Sequence, residues 1–203
     1  MPLTEAEQQV CRLIEQRRGA MVEDLRLHVG LATGGFNAAA LDETRERLCS
    51  RLRAVGAVCE MVAGEARPEW LYKGEDGVGG GSREYAVPPT AVCRIGDWSA
   101  GASGPSPIMV SGHLDTMHDP KGAFRELTVS ADGNRAVGPG CVDMKGGLVI
   151  AMAALEALAE VGHLPRASVV LNSDEETGSY HSARPHPQSP SRCGNSPSLH
   201  PSS

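Results

Sequence analysis

Three short stretches concentrate the residue types that bind cations and move protons: His113 and Asp115 in "HLD", Asp143 in "GPGCVDMKGG", and Asp174, Glu175 and Glu176 in "SDEETGS". Imidazole nitrogen and carboxylate oxygen are donors that zinc and related divalent ions accept. His113 and Asp115 are two residues apart, so on an extended segment they point the same way, and the carboxylate can hydrogen-bond and orient the imidazole. Asp143 lies in a turn flanked by Gly138, Gly140, Gly146 and Gly147, where the backbone can bend sharply and a fixed carboxylate can bridge two cations. Adjacent glutamates can divide labour, one binding metal and the other serving as a general base beside a metal-polarised water. Singly, each stretch has a bland explanation, since strand-end histidines are usually structural and acidic triplets usually solvated. Their conjunction at the ends of neighbouring strands favours a metal site.

The elements that must position these residues are legible around them. "PIMVSGHLD" reads as a short buried strand, "FRELTVSADGNRAVG" as a hairpin turning at Asp132-Gly133, "MKGGLVIAMAALEALAEVG" as a helix closed by Gly162, and "ASVVLNSDEE" as a second buried strand. Strand, crossover helix and strand make a βαβ unit, which implies an α/β fold with a mostly parallel sheet and flanking helices. Ligands in such sheets collect at the carboxyl ends of the strands. Upstream, Thr4 and Glu7 form a capping-box pattern, and Val10, Leu13, Ile14 and Met21 continue one helical face. A second helix is expected from about Asn37 to Val55, stopped by Gly56. Between Ala63 and Ser106, "GEDGVGGGS" and "SAGASGPS" surround the β-like "TAVCRI", so loop and an edge strand are expected there.

Composition narrows the partners. The chain of 203 residues carries a net charge of -6, which disfavours nucleic acid or an anionic membrane as a partner. Its longest apolar run, Leu148 to Leu155, falls far short of the ~20 residues of a membrane span. The six cysteines, Cys11, Cys49, Cys59, Cys93, Cys141 and Cys193, lack the spacing of a disulfide framework or zinc knuckle, and with an N-terminus unlike a signal peptide they suggest reduced thiols in the cytoplasm. Cys141 is expected to be buried beside its turn, and Lys145 to pair with a nearby carboxylate.

Together, "SGHLDTM", "GPGCVDMKGG" and "SDEETGS" resemble the successive signatures of the di-zinc aminoacylase and carboxypeptidase family, which includes glutamate carboxypeptidase, acetylornithine deacetylase and succinyl-diaminopimelate desuccinylase. The resemblance implies the N-terminal part of a di-zinc exopeptidase-like catalytic domain. In that family's scheme His113 ligates one zinc, Asp143 bridges both, Glu176 ligates the other, Glu175 is the general base and Asp115 is the carboxylate behind the histidine, with cobalt or manganese as alternative metals. The implied reaction is hydrolysis of amide bonds in small N-acyl amino acids or of C-terminal peptide bonds. The family is homodimeric through an inserted domain.

The sequence departs from that pattern after Ser182. The family's later acidic ligand, terminal histidine and inserted dimerisation domain have no counterpart, and no Asp or Glu follows Glu176. The expected organisation is a partial catalytic domain over 1–182 and a Pro/Ser-rich disordered tail over 183–203, arising from a shifted reading frame or alternative splicing. His181, His186 and His200 are read as incidental. The alternative to an active hydrolase is a catalytically inactive truncated fragment with weak metal binding.

Overall fold

The computed structural model describes residues 2–34, 37–65, 88–99 and 104–182. The expectations for the glycine-rich stretch at 74–82 and for the tail at 183–203 lie outside the described residues. Three helices come first: α1 (Glu5–Gln16), α2 (Arg18–Gly30) and α3 (Ala38–Ala54). The capping box forms as expected, with Thr4 N donating to Glu7 Oε2 at 2.7 Å and Glu7 N donating to Thr4 Oγ1 at 3.3 Å. The opening helix is shorter than its apolar pattern suggests. It ends at Arg17, and Met21 belongs to α2, an element the periodicity did not separate. Asn37 caps α3, and Gly56 stops it at φ +89°, a left-handed conformation that favours glycine.

The sheet contains β1 (Val58–Val62), β2 (Thr90–Ile95), β3 (Ile108–His113) and β6 (Ala167–Asn172) in the order β1-β2-β6-β3. Between them, β4 (Thr128–Val129) and β5 (Ala136–Val137) form the expected hairpin, turning at Gly133 with φ +71°. Helix α4 (Gly146–Glu160) crosses from β3 to β6, and those two strands are parallel. The α/β layout and the βαβ unit are therefore present, but the sheet is mixed rather than mostly parallel: β1 pairs antiparallel with β2, and β2 antiparallel with β6. Only one strand-helix-strand crossover exists among the described residues, and only that connection imposes parallel pairing. "TAVCRI" is likewise not an edge. It is β2, paired on both sides and almost wholly buried.

The core lies between the helices and this sheet. Leu41, Leu48, Cys49 and Leu52 of α3 meet Leu148, Met152 and Leu155 of α4 and Ala91, Cys93, Val169 and Leu171 of the sheet. Strand β3 departs from the expected burial. Ile108 and Met109 are exposed, and only its end at Gly112 and His113 is buried, because among the described residues β3 has a neighbour on one side alone. There the strand runs close under α4: a Cβ on Gly112 would lie 2.6 Å from Leu148 Cδ2, so a larger residue would require the Leu148 side chain to move.

Arg51 ties the helices together. Its guanidinium donates to both oxygens of Glu156 on α4, at 2.7 and 3.0 Å, and also to Asp24 on α2. Replacing Arg51 by Ala should lower the unfolding free energy by about 1–3 kcal/mol, and Arg51→Lys should recover only part of this because an ammonium cannot reproduce the planar fork. Urea denaturation of both variants measures the difference. His28 supplies a pH dependence. Burial, opposed by Asp24 and reinforced by Lys145 and Arg51, lowers its pKa below the usual 6.5. The unfolded chain therefore takes up the proton more readily, so this contribution is complete above pH 6.5 and is lost as pH falls below it. Denaturation midpoints of His28→Gln should decline less over that acidic range than those of the unsubstituted chain.

Candidate metal centre

The βαβ unit brings two strand ends together. His113 is the last residue of β3 and Asn172 the last of β6, and the two are register partners. The chain leaving β6 turns through Ser173 and Asp174 into a single 3-10 turn over Glu175–Thr177. Asp174 shapes that loop: its carbonyl accepts from Ser179 N at 2.7 Å and its Oδ2 from His181 N at 2.7 Å. His181 faces away from the other candidate groups, with Nδ1 2.7 Å from Glu65 O.

Asp115, 7% exposed, joins the two strand ends. Glu175 N donates to its Oδ1 at 3.2 Å and Glu176 N to its Oδ2 at 2.9 Å. His113 Nδ1 lies 3.0 Å from the Asp115 carbonyl and 3.4 Å from its Oδ1. The expected contact between Asp115 and the imidazole is present, though the main-chain carbonyl is the nearer partner because the carboxylate is already engaged by the two N–H groups. A carbonyl only accepts, so Nδ1 carries a proton and Nε2 is the nitrogen aimed at the cluster.

Nε2 lies 2.8 Å from Asp143 Oδ1 and 3.9 Å from Glu175 Oε2. Ligand atoms of His113, Asp143 and Glu176 all lie within 4.8 Å of one another. All five residues singled out from the sequence, His113, Asp115, Asp143, Glu175 and Glu176, thus meet at the carboxyl ends of β3 and β6. Asp143 reaches this place from a wide turn, Cys141–Lys145, entered through Gly140 in the left-handed region at φ +64°. Thr116 Cγ2 would be 2.6 Å from a Cβ there, so both conformation and space require glycine.

Two residues of that turn have contacts that sequence reasoning missed. Among the described residues Lys145 pairs with no carboxylate. It is buried, and Nζ donates to the carbonyls of His28 and Leu31 at 2.7 and 2.6 Å, anchoring the Asp143 turn to the end of α2. Burial lowers its pKa to about 8. The available signal was a basic residue two positions after Asp143, a type that can equally cap a helix C-terminus. Met144 Sδ accepts from His113 N at 3.2 Å, packing the turn against the strand end. Cys141 is half-buried rather than buried as expected.

The electrostatics suit a cation. Burial disfavours charge on His113, but hydrogen bonds to Asp115 and Asp143 and the Asp115 charge outweigh it and raise its pKa to about 9. Burial, then the charge of Asp143, pushes Glu176 above the usual carboxylate range. Crowded carboxylates around one imidazole repel unless protonated or neutralised. One nitrogen and two carboxylate donors at these separations fit a divalent ion, whose binding would displace the Nε2 proton.

Residues 109–192 match the model of "Peptidase family M20/M25/M40". Carboxypeptidase G2 of Pseudomonas sp. (strain RS-16) is 33% identical over 75 residues, 36% of this chain and 18% of that protein. Among solved structures, the di-peptidase Dug1p from Saccharomyces cerevisiae aligns with a TM-score of 0.66 at 17% identity, over 85% of this chain and 35% of its own. Human carnosine dipeptidase 1 aligns with a TM-score of 0.66 at 18% identity and the same coverage. The fold is shared, and the chain spans about a third of the length of those two structures.

Asp115→Asn keeps the side chain's size but leaves one oxygen to serve two N–H groups. Zinc affinity, measured by titration calorimetry, should fall about 10–100-fold while the far-ultraviolet circular dichroism is retained; equal affinity would remove Asp115 from the centre.

Proposed function

We propose, from the match of residues 109–192 to the model of Peptidase family M20/M25/M40, that this chain carries the metal-dependent centre of a hydrolase acting on amide bonds in small N-acyl amino acids, dipeptides or C-terminal peptide bonds. The observation that supports this most is the orientation of His113: Nδ1 is held by Asp115, and Nε2 faces Asp143, Glu175 and Glu176. The relatives named as dipeptidases and a carboxypeptidase suggest the substrate class. Residues 1–182 form, in this reading, a partial catalytic domain.

In this reading His113 Nε2, Asp143 and Glu176 would hold zinc, Asp143 being the carboxylate that a second ion would share. When bound, the metal supplies Lewis-acid polarisation of the amide carbonyl and makes water more acidic. Glu175 is the proton carrier. Its main chain is pinned by Asp115, while its carboxylate reaches into the cluster at 3.9 Å from Nε2 and stays half-exposed, where a substrate amide can approach. It takes a proton from the attacking water and delivers it to the leaving amine. Asp115 keeps Nδ1 protonated and so leaves Nε2 for the metal. Among the described residues no helix is long and apolar enough to cross a membrane, and five cysteines are free, which fits a reducing, cytoplasmic setting.

Glu175→Gln should retain zinc, measured by elemental analysis after gel filtration, while hydrolysis of a dipeptide and N-acyl amino acid panel falls by about 10²–10⁴-fold. His113→Ala should lose the metal as well. Retained turnover in Glu175→Gln would sink the base assignment, and undiminished zinc in His113→Ala would sink the centre. Zinc binding by the unsubstituted chain without turnover would instead favour the non-catalytic reading.

A further inference from the structure

The fold assembles a second group of metal-binding side chains that the centre at His113 does not use. Cys49 lies on the buried face of α3, Cys59 on β1 and Cys93 on β2. They are far apart in the chain, yet Cys59 and Cys93 are directly opposed in the antiparallel pair, and α3 packs over both strands. Cys49 Sγ is 3.7 Å from Cys93 Sγ, and Cys59 Sγ is 3.8 Å from the Cys49 carbonyl. All three sulfurs lie within 4.8 Å of one another. None of α3, β1 or β2 supplies a residue to the centre at His113.

We propose that Cys49, Cys59 and Cys93 form a thiolate site for a single soft cation of the zinc, cadmium or univalent copper class. Metal–sulfur bonds of about 2.3 Å place three sulfurs around one ion about 4 Å apart, so the separations here require only small side-chain adjustments. Thiolate donors select such ions over magnesium and calcium, which take oxygen. Cys49 and Cys93 are buried, whereas Cys59 is partly exposed and gives the ion an approach.

Cadmium(II) is the probe, titrated into the reduced, metal-free chain. Thiolate-to-cadmium charge transfer absorbs in the ultraviolet, whereas the nitrogen and oxygen donors at His113 are silent there, so the two centres report separately. The expected result is absorption saturating at about one cadmium per chain, abolished in Cys59→Ser and Cys93→Ser and unchanged in Cys11→Ser and Cys141→Ser. Because Cys93 is buried and its variant may not fold, the unsubstituted chain is also alkylated with iodoacetamide and its peptides weighed. Cadmium should slow modification of Cys49, Cys59 and Cys93 by about tenfold or more and leave Cys11 unaffected. The proposal is overturned if no such absorption develops, if it depends on Cys141 instead, or if cadmium leaves alkylation of the three thiols unchanged.

Discussion

A single buried carboxylate organises the centre. Asp115 follows β3 by two residues, and each of its oxygens accepts a main-chain N–H from the turn that follows β6, while its own carbonyl holds His113 Nδ1. A buried anion must find donors, and charge-assisted hydrogen bonds to backbone amides are strong ones. Because those donors are main-chain groups, Asp115 positions the backbone of Glu175 and Glu176 whatever their side chains do. One residue therefore sets both the direction of the imidazole and the place of the two glutamates.

The third contributor, Asp143, depends on a different support. Its turn leaves Gly140 in a left-handed conformation and is tied by Lys145 to the carbonyls that end α2. Helix α2 is in turn fastened to α3 and α4 by Arg51. Carboxylates that would otherwise separate are thus held together by packing and hydrogen bonds well outside their own contacts. Glu176 is raised first by burial and then by the charge of Asp143, a repulsion that a bound cation would relieve.

Local chemistry was the readable part of this sequence. The Thr4 capping box, the Asn37 cap and Gly56 stop of α3, the hairpin at Gly133 and the β3–α4–β6 unit all follow from short-range patterns, and the five centre residues sit beside that unit. Strand pairing was less readable. "TAVCRI" is mostly apolar but for Thr90 and Arg94, a pattern that edge and central strands share, and nothing within it specifies an antiparallel partner on each side. The break between α1 and α2 at Arg17 carries no proline or glycine at that residue to mark it. Lys145 was misjudged because its acceptors are main-chain carbonyls remote in sequence. The three thiols meet only because α3 lies across β1 and β2, and their irregular spacing concealed it.

The pairing of His113 with Asn172 makes the centre a gauge of strand alignment. A slip of one residue between β3 and β6 would displace the imidazole by about 3.3 Å and turn it to the opposite face of the sheet. Only the native alignment can then bind a cation at these donors, so occupancy would stabilise that alignment over its neighbours in proportion to the logarithm of metal concentration.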